Sequence, residues 1–536
     1  MSTTFAAASA PSTAGTFSGQ VSPHAPGKAA VTTSPAHPER FSPRQAETRA
    51  LRVAQEAAAL VPAYGRFLRL AGYDANRLRS FADFCALPVM DKASYLTRYP
   101  VEQRVRRGDL ARAHIVTLSS GATGQPTLWP RFPDQDAAQL AALTNMFQEH
   151  LRIRERWTLL VVNLAMGAWV AGTLVAEMGQ RMFSQPGVRG TVVTPGLSQE
   201  ETLRFVEQLS PHYDQTFIIG YAAPMATMLE EGQHRGIDWP ALNVTLCSGS
   251  EYVSEGQRER LAQLLGKNLD RLEGFFGVFG SSEGGGALGY ESHLCLLVRR
   301  LCARTPGLAD ALFDSPLVPS LTQYNPLNTF LESTNGEIVI TARGGVPLVR
   351  YNTHDRGGLL SMDEMLARCR SFGFDLRHEL QQRGFGPEYF HPLPFMYAFG
   401  RSDAVTIHGA NVYVDQMTDV LTQPALRGSN TGHFRMAGHN HPDGRATLYV
   451  EVELSAHAPA SDDLRALYQH GVLQGLQRIS SEFRSAYEQA RGRVDVEIEL
   501  LPFGSLELTT PKHQYLVRKP DLLAGARATS PGANGH

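Results

Sequence analysis

Residues 215–249 read QTFIIGYAAPMATMLEEGQHRGIDWPALNVTLCSG. The apolar runs at the two ends, QTFIIGY and NVTLCSG, have the length of buried strands. The segment between them, APMATMLEEGQHRG, has the length of a helix and ends on a glycine. Because a strand, a helix and a second strand follow one another, this stretch predicts two parallel strands joined by a crossover helix.

The same alternation continues on both sides of this stretch. TVVTPG precedes SQEETLRFVEQLS on the N-terminal side, and SEGQRERLAQLLGK precedes FFGVFG on the C-terminal side. Repeated units of this kind predict an α/β fold in which mostly parallel sheets are layered with helices. Ligands of such sheets bind near the carboxyl ends of the strands.

The two ends of the chain differ from this central part. The first residues are rich in Ala, Ser, Thr, Pro and Gly, a composition typical of disorder, whereas AETRALRVAQEAAALVPAYGRFLRLAG has helical spacing. Short strands such as DAVTIHG and ATLYVEVEL, with a helix near 461–490, predict a smaller α+β domain after residue 400. We therefore predict a disordered tail, a large N-terminal domain, a small C-terminal domain and a second disordered tail, at 1–44, 45–400, 401–522 and 523–536.

The composition limits the classes of partner. The 536 residues include 50 Lys and Arg against 52 Asp and Glu, a formal net charge of -2, so neither nucleic acid nor an anionic membrane surface is expected as a partner. The five cysteines include no CxxC pair, which favours neither a disulfide framework nor a thiolate zinc site. No secretory signal is recognised at the N-terminus, and we expect a reducing, cytoplasmic setting.

One uncharged stretch resembles a membrane helix. Residues 157–176, WTLLVVNLAMGAWVAGTLVA, are long enough to span a bilayer. We favour a buried strand followed by a helix, with the break between Asn163 and Gly167.

Two glycine-rich segments have more than one interpretation. TLSSGATGQPT, at 117–127, follows the strand-like AHIV and is compatible with a phosphate-binding loop or an ordinary surface turn. GSSEGGGALG, at 280–289, contains the G-x-S-x-G pattern of a hydrolase, with Ser282 as nucleophile, and also the G-x-G-x-x-G pattern of a dinucleotide site. Each pattern alone is weak.

Five motifs in a fixed order carry more weight than any one of them. SSGATGQPT, FGSSE, VPLVRYNTHD, GRSDAVTIHGANVY and TTPKHQY together resemble the adenylate-forming (ANL) superfamily, specifically its phenylacetate–coenzyme A ligase branch. FADFCALPVMDKASYLTRYP and CSGSEYVSE are also similar to segments of that branch, and the resemblance covers roughly residues 45–520.

The resemblance implies an activity and its co-substrates. Members of the branch use ATP and Mg²⁺ to convert a carboxylic acid, usually aromatic, into an acyl-AMP with release of pyrophosphate. They then transfer the acyl group to a thiol. Coenzyme A is the first candidate for the thiol, and a carrier protein or an amine is the alternative acceptor. The small C-terminal domain is expected to be mobile, and a homodimer is left open.

The resemblance also implies roles for individual residues. The departing phosphates are expected to contact Ser119, Ser120, Gly121, Thr123 and Gly124. The adenine and its surroundings are expected to involve Phe279, Gly249, Ser250 and Glu251, with Gly280, Ser281 and Ser282 in the same nucleotide-binding motif. The ribose is expected near Asp355, Arg350 and Arg401, with Asp403 as the hinge. The acid pocket is expected near Gly220, Tyr221, Ala222, Pro224 and Gly277.

Two residues are expected to carry the chemistry. By resemblance, the Glu283 carboxylate holds Mg²⁺ against the phosphates, a task suited to a hard oxygen ligand. Lys512, on the mobile domain, reaches the reacting carboxylate and the α-phosphate.

The sequence also departs from the branch. Ala122 replaces a threonine of the phosphate loop, Ser282 replaces the threonine before the metal carboxylate, and the segments 291–330 and 361–399 are longer than usual. Two functions of other classes therefore stay open: a serine hydrolase built on Ser282, and a catalytically silent nucleotide-binding protein.

Overall fold

The computed structural model describes eight stretches of the chain, 42–119, 127–249, 252–401, 404–407, 410–440, 445–490, 492–506 and 515–516. They belong to one compact unit that begins at residue 40.

Helices open the described chain, as the spacing of apolar residues predicts. They are α1 Pro43–Leu60, α2 Pro62–Leu70, α3 Phe81–Cys85 and α4 Val101–Arg104. Helix α1 ends just before Pro62 and α2 begins at it, because proline restricts the residue before it and fits the first helical position. The buried face of α1 consists of small residues and Val53.

A hairpin and a long helix follow. The hairpin consists of β1 Ile115–Leu118 and β2 Leu128–Arg131, and the helix is α5 Pro133–Leu151. The two strands pair with each other, antiparallel, and form a separate two-stranded sheet.

A sheet of eleven strands forms the centre of the described chain. Its members are β3 Thr158–Val162, β4 Gly190–Val193, β5 Gln215–Gly220, β6 Val244–Gly249, β7 Phe275–Ser281, β8 Gly286–Tyr290, β9 Ser320–Tyr324, β10 Thr329–Thr334, β11 Glu337–Ala342, β12 Leu348–Leu360 and β13 Phe395–Arg401. The strand order is β10-β11-β12-β13-β9-β8-β7-β6-β5-β3-β4.

The predicted α/β class is confirmed, and the parallel part lies at one end of the sheet. Strands β7, β6, β5, β3 and β4 are parallel neighbours. The crossovers between them contain α6 Val170–Phe183, α7 Gln199–Leu209, α8 Ala222–His234 and α9 Glu255–Leu264. Phe217 and Ile218 on β5 pack into different hydrophobic clusters, as expected for a strand covered on both faces. The remaining neighbours pair antiparallel.

The apolar stretch 157–176 is a strand followed by a helix, as predicted. Strand β3 ends at Val162 and α6 begins at Val170, and Gly167 between them has a φ of +75°, which favours glycine. Among the residues that the structure describes, no helix is long and apolar enough to cross a membrane.

Each of the two longer segments contains two helices and contributes to a strand of the large sheet. Segment 291–330 contains α10 His293–Arg304 and α11 Leu308–Phe313, and segment 361–399 contains α12 Met362–Ser371 and α13 Leu376–Gln382. Helix α10 packs against α13, and α11 packs against α12, so the two segments support each other.

The C-terminal part has the α+β composition that the sequence predicts. Its elements are β14 Ala404–Ile407, β15 Ala410–Tyr413, α14 Val414–Leu421, β16 Asn430–Asn440, β17 Ala446–Leu454, α15 Asp462–Ile479, α16 Ser481–Ala490 and β18 Val494–Leu501. Strands β16, β17 and β18 form one sheet, in which β17 and β18 are parallel. The domain boundary at 400/401 remains a prediction, and the expected hinge, Asp403, lies outside the described residues.

Candidate functional site

The glycine-rich segment 117–127 links β1 to β2 in the chain, and its described ends, Ser119 and Thr127, contact each other. The Thr127 amide donates to Ser119 Oγ at 3.0 Å, and the Ser119 amide donates to the Thr127 carbonyl at 3.1 Å. These two hydrogen bonds fix both ends of the loop. The other phosphate-loop residues expected from the sequence, Ser120, Gly121, Thr123 and Gly124, lie outside the described residues.

Arg131 connects this hairpin to the turn that carries Glu283. Its side chain is 3 % exposed, its Nη1 donates to the Gly285 carbonyl at 2.7 Å, and its Nη2 lies 2.5 Å from Asp136 Oδ1. A buried guanidinium with a carboxylate partner and a carbonyl acceptor has little freedom to move. Arg131 therefore holds the hairpin of the candidate phosphate loop beside the candidate metal carboxylate.

The backbone conformation and the close packing after Glu283 explain why three glycines follow it. Gly285 and Gly286 have φ values of +81° and +138°, and a Cβ on Gly284 would lie 2.3 Å from a Leu288 methyl group. The Gly284 amide donates to Ser281 Oγ at 2.9 Å, which closes a tight turn with the half-buried Glu283 in it. Only glycine fits these positions without strain.

This turn excludes two interpretations of the 280–289 motif. A dinucleotide fingerprint and a nucleophile elbow both lead from a strand into a helix. Here β7 turns into the antiparallel strand β8, which begins at Gly286. The G-x-G-x-x-G pattern and the hydrolase pattern at Ser282 therefore both lack their structural context.

Phe279 packs against a hydrophobic cluster that also contains residues from two other parts of the candidate site. This cluster includes Trp129, from the strand after the phosphate loop, and Tyr351, from the candidate ribose motif. Gly249, at the end of β6, pairs with Val278, and a Cβ on Gly249 would lie 3.2 Å from the Val278 carbonyl oxygen. Gly280 and Ser281 complete β7. The neighbouring Ser250 and Glu251 lie outside the described residues.

The candidate ribose motif lies on β12. Asp355 is half-buried and stands opposite Arg401 in the β12–β13 pair. Arg350 has a positive φ of 49°, and its guanidinium contacts Glu332 at 3.1 Å and the Leu87 carbonyl at 2.7 Å. These contacts favour a structural role for Arg350 over the nucleotide contact that the motif predicts.

The expected acid-pocket residues are arranged around the carboxyl end of β5. Tyr221 and Pro224 are half-buried beside Gly220, where a Cβ would lie 3.0 Å from the Asn163 carbonyl oxygen. A Cβ on Gly277 would lie 3.1 Å from Glu291 Cδ, so an added side chain there would point at this carboxylate.

A small cavity lies next to these residues. It has a volume of about 10 Å³, and its lining includes Ala222, Arg260 and Thr422. This space holds about one water molecule, so the cavity is not the acid pocket.

Two residues that shortly follow the expected catalytic lysine in the chain, 515 and 516, are described. Lys512 itself lies outside the described residues, and the Tyr515 backbone carbonyl accepts a hydrogen bond from the Met436 amide on β16 at 2.7 Å. The chain just after Lys512 is therefore attached to the C-terminal sheet.

One ion pair near the candidate ribose site was not expected from the sequence. Arg356 Nη2 donates to both carboxylate oxygens of Asp415, at 2.8 and 2.7 Å, and its guanidinium carbon lies 3.7 Å from the Tyr413 ring centroid. Burial raises the pKa of Asp415 to about 6, and Arg356 only partly offsets this rise. The only sequence signal for this ion pair was the arginine directly after Asp355. Its partner, Asp415, is 59 residues away in the sequence, so the pair could not be predicted.

A His/Glu cluster lies outside the predicted residues. Glu149 contacts His293 Nδ1 at 3.1 Å, His391 Nε2 at 3.0 Å and the Tyr290 hydroxyl at 2.7 Å. Burial opposes ionisation of Glu149, but its hydrogen bonds to His293 and His391 hold its pKa well below the usual range.

This cluster has three groups close enough to be metal ligands, Glu149, His150 and His293, with ligand atoms within 4.8 Å of one another. The two imidazole rings stack at 4.7 Å with an interplanar angle of 21°. Because a metal lies in the plane of each imidazole that binds it, nearly parallel rings are poorly placed to share one ion. We interpret the cluster as the anchor that holds segment 361–399, through His391, to α5 and α10.

Comparisons with solved structures bear on the whole arrangement. The chain matches 2-hydroxyisobutyryl-CoA ligase in the postadenylation state, in complex with 2-HIB-AMP, with a TM-score of 0.61, 16 % identity and 90 % coverage of both chains. It matches GH3.15 acyl acid amido synthetase in complex with 2,4-DB with a TM-score of 0.56 and 11 % identity, over 92 % of this chain and 98 % of that one. The chain has the fold of the adenylate-forming enzymes.

These comparisons show a shared fold and no more, because the sequence identities are low. The 2-hydroxyisobutyryl-CoA ligase in complex with 2-HIB-AMP and CoA, in the thioesterification state, also matches, with a TM-score of 0.50, 16 % identity and coverage of 91 % and 92 %. No protein-family model and no curated protein matches the chain. Within the adenylate-forming fold, the branch is not fixed by these comparisons.

Proposed function

We propose that this protein is an ATP-dependent ligase that activates a carboxylic acid as an acyl-AMP and transfers the acyl group to a thiol. The observation that carries the proposal is the contact of Arg131 with Gly285. It joins the hairpin of the glycine- and serine-rich loop to the turn bearing Glu283, within an adenylate-forming fold. A metal-binding carboxylate beside a phosphate loop is the arrangement that ATP chemistry requires.

In the first step, a carboxylate oxygen of the acid attacks the α-phosphorus of ATP. A new O–P bond forms, and the bond from the α-phosphorus to the bridging oxygen breaks, so that pyrophosphate leaves with the electron pair. Because the protein forms no covalent bond, its contribution is positioning and charge stabilisation.

The proposed roles follow from the motifs. Ser119 and the loop after it bind the departing phosphates, Phe279 and Gly249 border the adenine, and Asp355 accepts hydrogen bonds from the ribose hydroxyls. Glu283 offers a half-buried carboxylate on a rigid turn, which suits Mg²⁺, and the ion supplies charge neutralisation when bound. Lys512 stabilises charge at the reacting carboxylate and α-phosphate.

In the second step, a thiolate attacks the acyl carbon. A C–S bond forms, the C–O bond to AMP breaks, and AMP leaves. We propose coenzyme A as the thiol, since the matched 2-hydroxyisobutyryl-CoA ligase is described with CoA. An amine acceptor is the nearest alternative, because the matched GH3.15 protein is an acyl acid amido synthetase. The aromatic nature of the acid and a mobile small domain at 401–522 are proposals from the branch resemblance alone.

Exchange of labelled pyrophosphate into ATP tests the adenylation step. With a panel of aromatic and short aliphatic acids, we expect exchange only when the correct acid is present. Binding of ATP without exchange for any acid would support the silent nucleotide-binding protein instead. Hydrolysis of ester substrates in the absence of ATP would support a serine hydrolase and would contradict the interpretation of the Ser282 turn.

A further inference from the structure

A buried ion cluster connects the long segment after Glu283 to the proposed adenine site. It consists of Glu255 and Arg258 at the start of α9, Glu291 just after β8, and Arg299 on α10. The side chains of Arg258, Glu291 and Arg299 are each 1 % exposed. A third guanidinium, that of Arg300, lies 3.1 Å from Glu255 Oε2, so each buried carboxylate has at least two arginine partners, as a buried charge requires.

Arg299 donates hydrogen bonds to three acceptors. Two lie at or just before the start of α9, and the third lies just after β8. Its Nε donates to Glu255 Oε1 at 2.8 Å, its Nη1 donates to Glu291 Oε1 at 2.6 Å, and its Nη2 donates to the Val253 carbonyl at 2.8 Å. Val253 is two residues after Glu251, which is expected beside the adenine, and Glu255 begins α9. One guanidinium therefore fixes both Val253 and the start of α9.

Glu291 extends the cluster to β7. Its Oε2 accepts from the Gly277 amide at 2.7 Å and from Arg258 Nη1 at 2.5 Å, and its own amide donates to the Gly277 carbonyl at 2.8 Å. Gly277 is two residues before Phe279, the residue proposed to lie against the adenine. The missing side chain of Gly277 is what allows the carboxylate to approach this closely.

We propose that Arg299 is a positioning residue for ATP, because it holds Val253 and the start of α9, which follow the expected adenine-binding residues in the chain, at a fixed separation from β7. This inference rests on the proposed adenylation function. It gives the long segment 291–330 a role in nucleotide binding, because α10 supplies the guanidinium. The role requires the planar guanidinium of arginine, because its donors point in fixed directions. A lysine ammonium on a flexible side chain cannot donate to the same three acceptors in one plane.

The test compares Arg299→Lys with Arg368→Lys. Arg368 is a matched control on α12, where its guanidinium donates to the Ala311 and Leu312 carbonyls at 3.2 and 3.0 Å, away from the ion cluster. The readouts are the Kd of α,β-methylene-ATP by calorimetry, the KM values for ATP and for the acid in pyrophosphate exchange, and the melting temperature. For Arg299→Lys we expect at least about tenfold weaker nucleotide binding, with a smaller rise in the KM for the acid, whose expected pocket the cluster reaches only through Glu291 and Gly277. Arg368→Lys is expected to retain the wild-type Kd.

Other outcomes would overturn the role. Nucleotide affinity equal to the wild type, or equal increases in both KM values, would mean that Arg299 is only structural. If Arg299→Lys fails to fold, Glu291→Gln replaces it, because it keeps the shape of the side chain and removes its charge. Wild-type affinity in that variant would also overturn the role.

The proposed function fails separately from this inference. Wild-type protein that binds the analogue but exchanges pyrophosphate with no acid would refute adenylation, while the Kd comparison would still decide the role of Arg299. Wild-type protein that does not bind the analogue would refute both.

Discussion

At the scale of single residues, Glu283 is the most direct test of the metal assignment. Glu283→Gln removes the charge proposed to hold Mg²⁺ and keeps the shape of the side chain. The turn is fixed by Gly284, Gly285 and Arg131, so we expect a folded variant. Pyrophosphate exchange should fall by at least about 10²-fold, the scale of one lost preorganised electrostatic contact. Normal exchange at low Mg²⁺ would show that Glu283 is not the metal ligand.

The neighbouring Ser282 is the matched control. Ser282→Ala removes at most one hydrogen bond, about 0.5–1.5 kcal/mol, so we expect activity within roughly tenfold of the wild type. Complete loss of turnover together with labelling by a fluorophosphonate would indicate a nucleophilic serine.

Lys512 should serve only one of the two steps. Lys512→Ala is expected to slow adenylation by at least about 10²–10³-fold, because it removes a charge at the reacting carboxylate. Thioester formation from synthetic acyl-AMP and coenzyme A should stay near the wild-type rate, since this assay bypasses the first step. Near-normal ATP-dependent activity would refute the role and direct the search to Lys519 or Lys267.

At the scale of elements, the ion cluster around α9 predicts a pH dependence of stability. Burial would raise the pKa of Glu255, but Arg258, Arg299 and Arg300 hold it at about 2, below its ordinary value of 4.5. Because its pKa is lower in the folded state than in the unfolded state, Glu255 stabilises the folded protein above pH 4.5, and this stabilisation is lost as the pH falls toward 2. In urea unfolding, the free-energy difference between the wild type and Glu255→Gln should therefore shrink over this range. A constant difference would contradict the ionised cluster.

Asp415 at the start of α14 should show the opposite trend. In the folded protein its pKa is about 6, above the ordinary value of 3.8. Its contribution to the free energy of unfolding is therefore present at low pH and lost as the pH rises through 6. The free energy of unfolding of the wild type relative to Asp415→Asn should fall between pH 4 and pH 7. A rise over this range would mean that the attraction to Arg356 outweighs the cost of burial.

The elements differ in how much of them the sequence predicts. QTFIIGY predicts β5 because a strand buried on both faces is a continuous apolar run, and the crossover helices follow from their length and spacing. The pairing of β12 with β13 is not predicted, because a helical segment of the chain separates Asp355 from its partner Arg401. Antiparallel neighbours that are distant in sequence leave no local signal.

At the scale of the whole molecule, the ordered motifs predicted the fold, and local patterns could not predict the contacts that rigidify the site. Glycines 284–286 are visible in the sequence as a possible fingerprint, but their cause is a turn between antiparallel strands. The partners of Arg299 are 8, 44 and 46 residues away, so its three-way contact requires the folded chain. Charged residues on α9 and α10 look like solvated faces until these helices are packed together.

The central claim is that the acid is activated through its own oxygen at the α-phosphorus of ATP. The most direct measurement uses an acid labelled with ¹⁸O in its carboxylate, identified by the exchange panel, with mass spectrometry of the products. Because the acid oxygen stays on phosphorus when the acyl group is transferred, we expect one ¹⁸O atom in AMP and release of pyrophosphate. Formation of ADP, or AMP without the label, would contradict acyl adenylation by this protein.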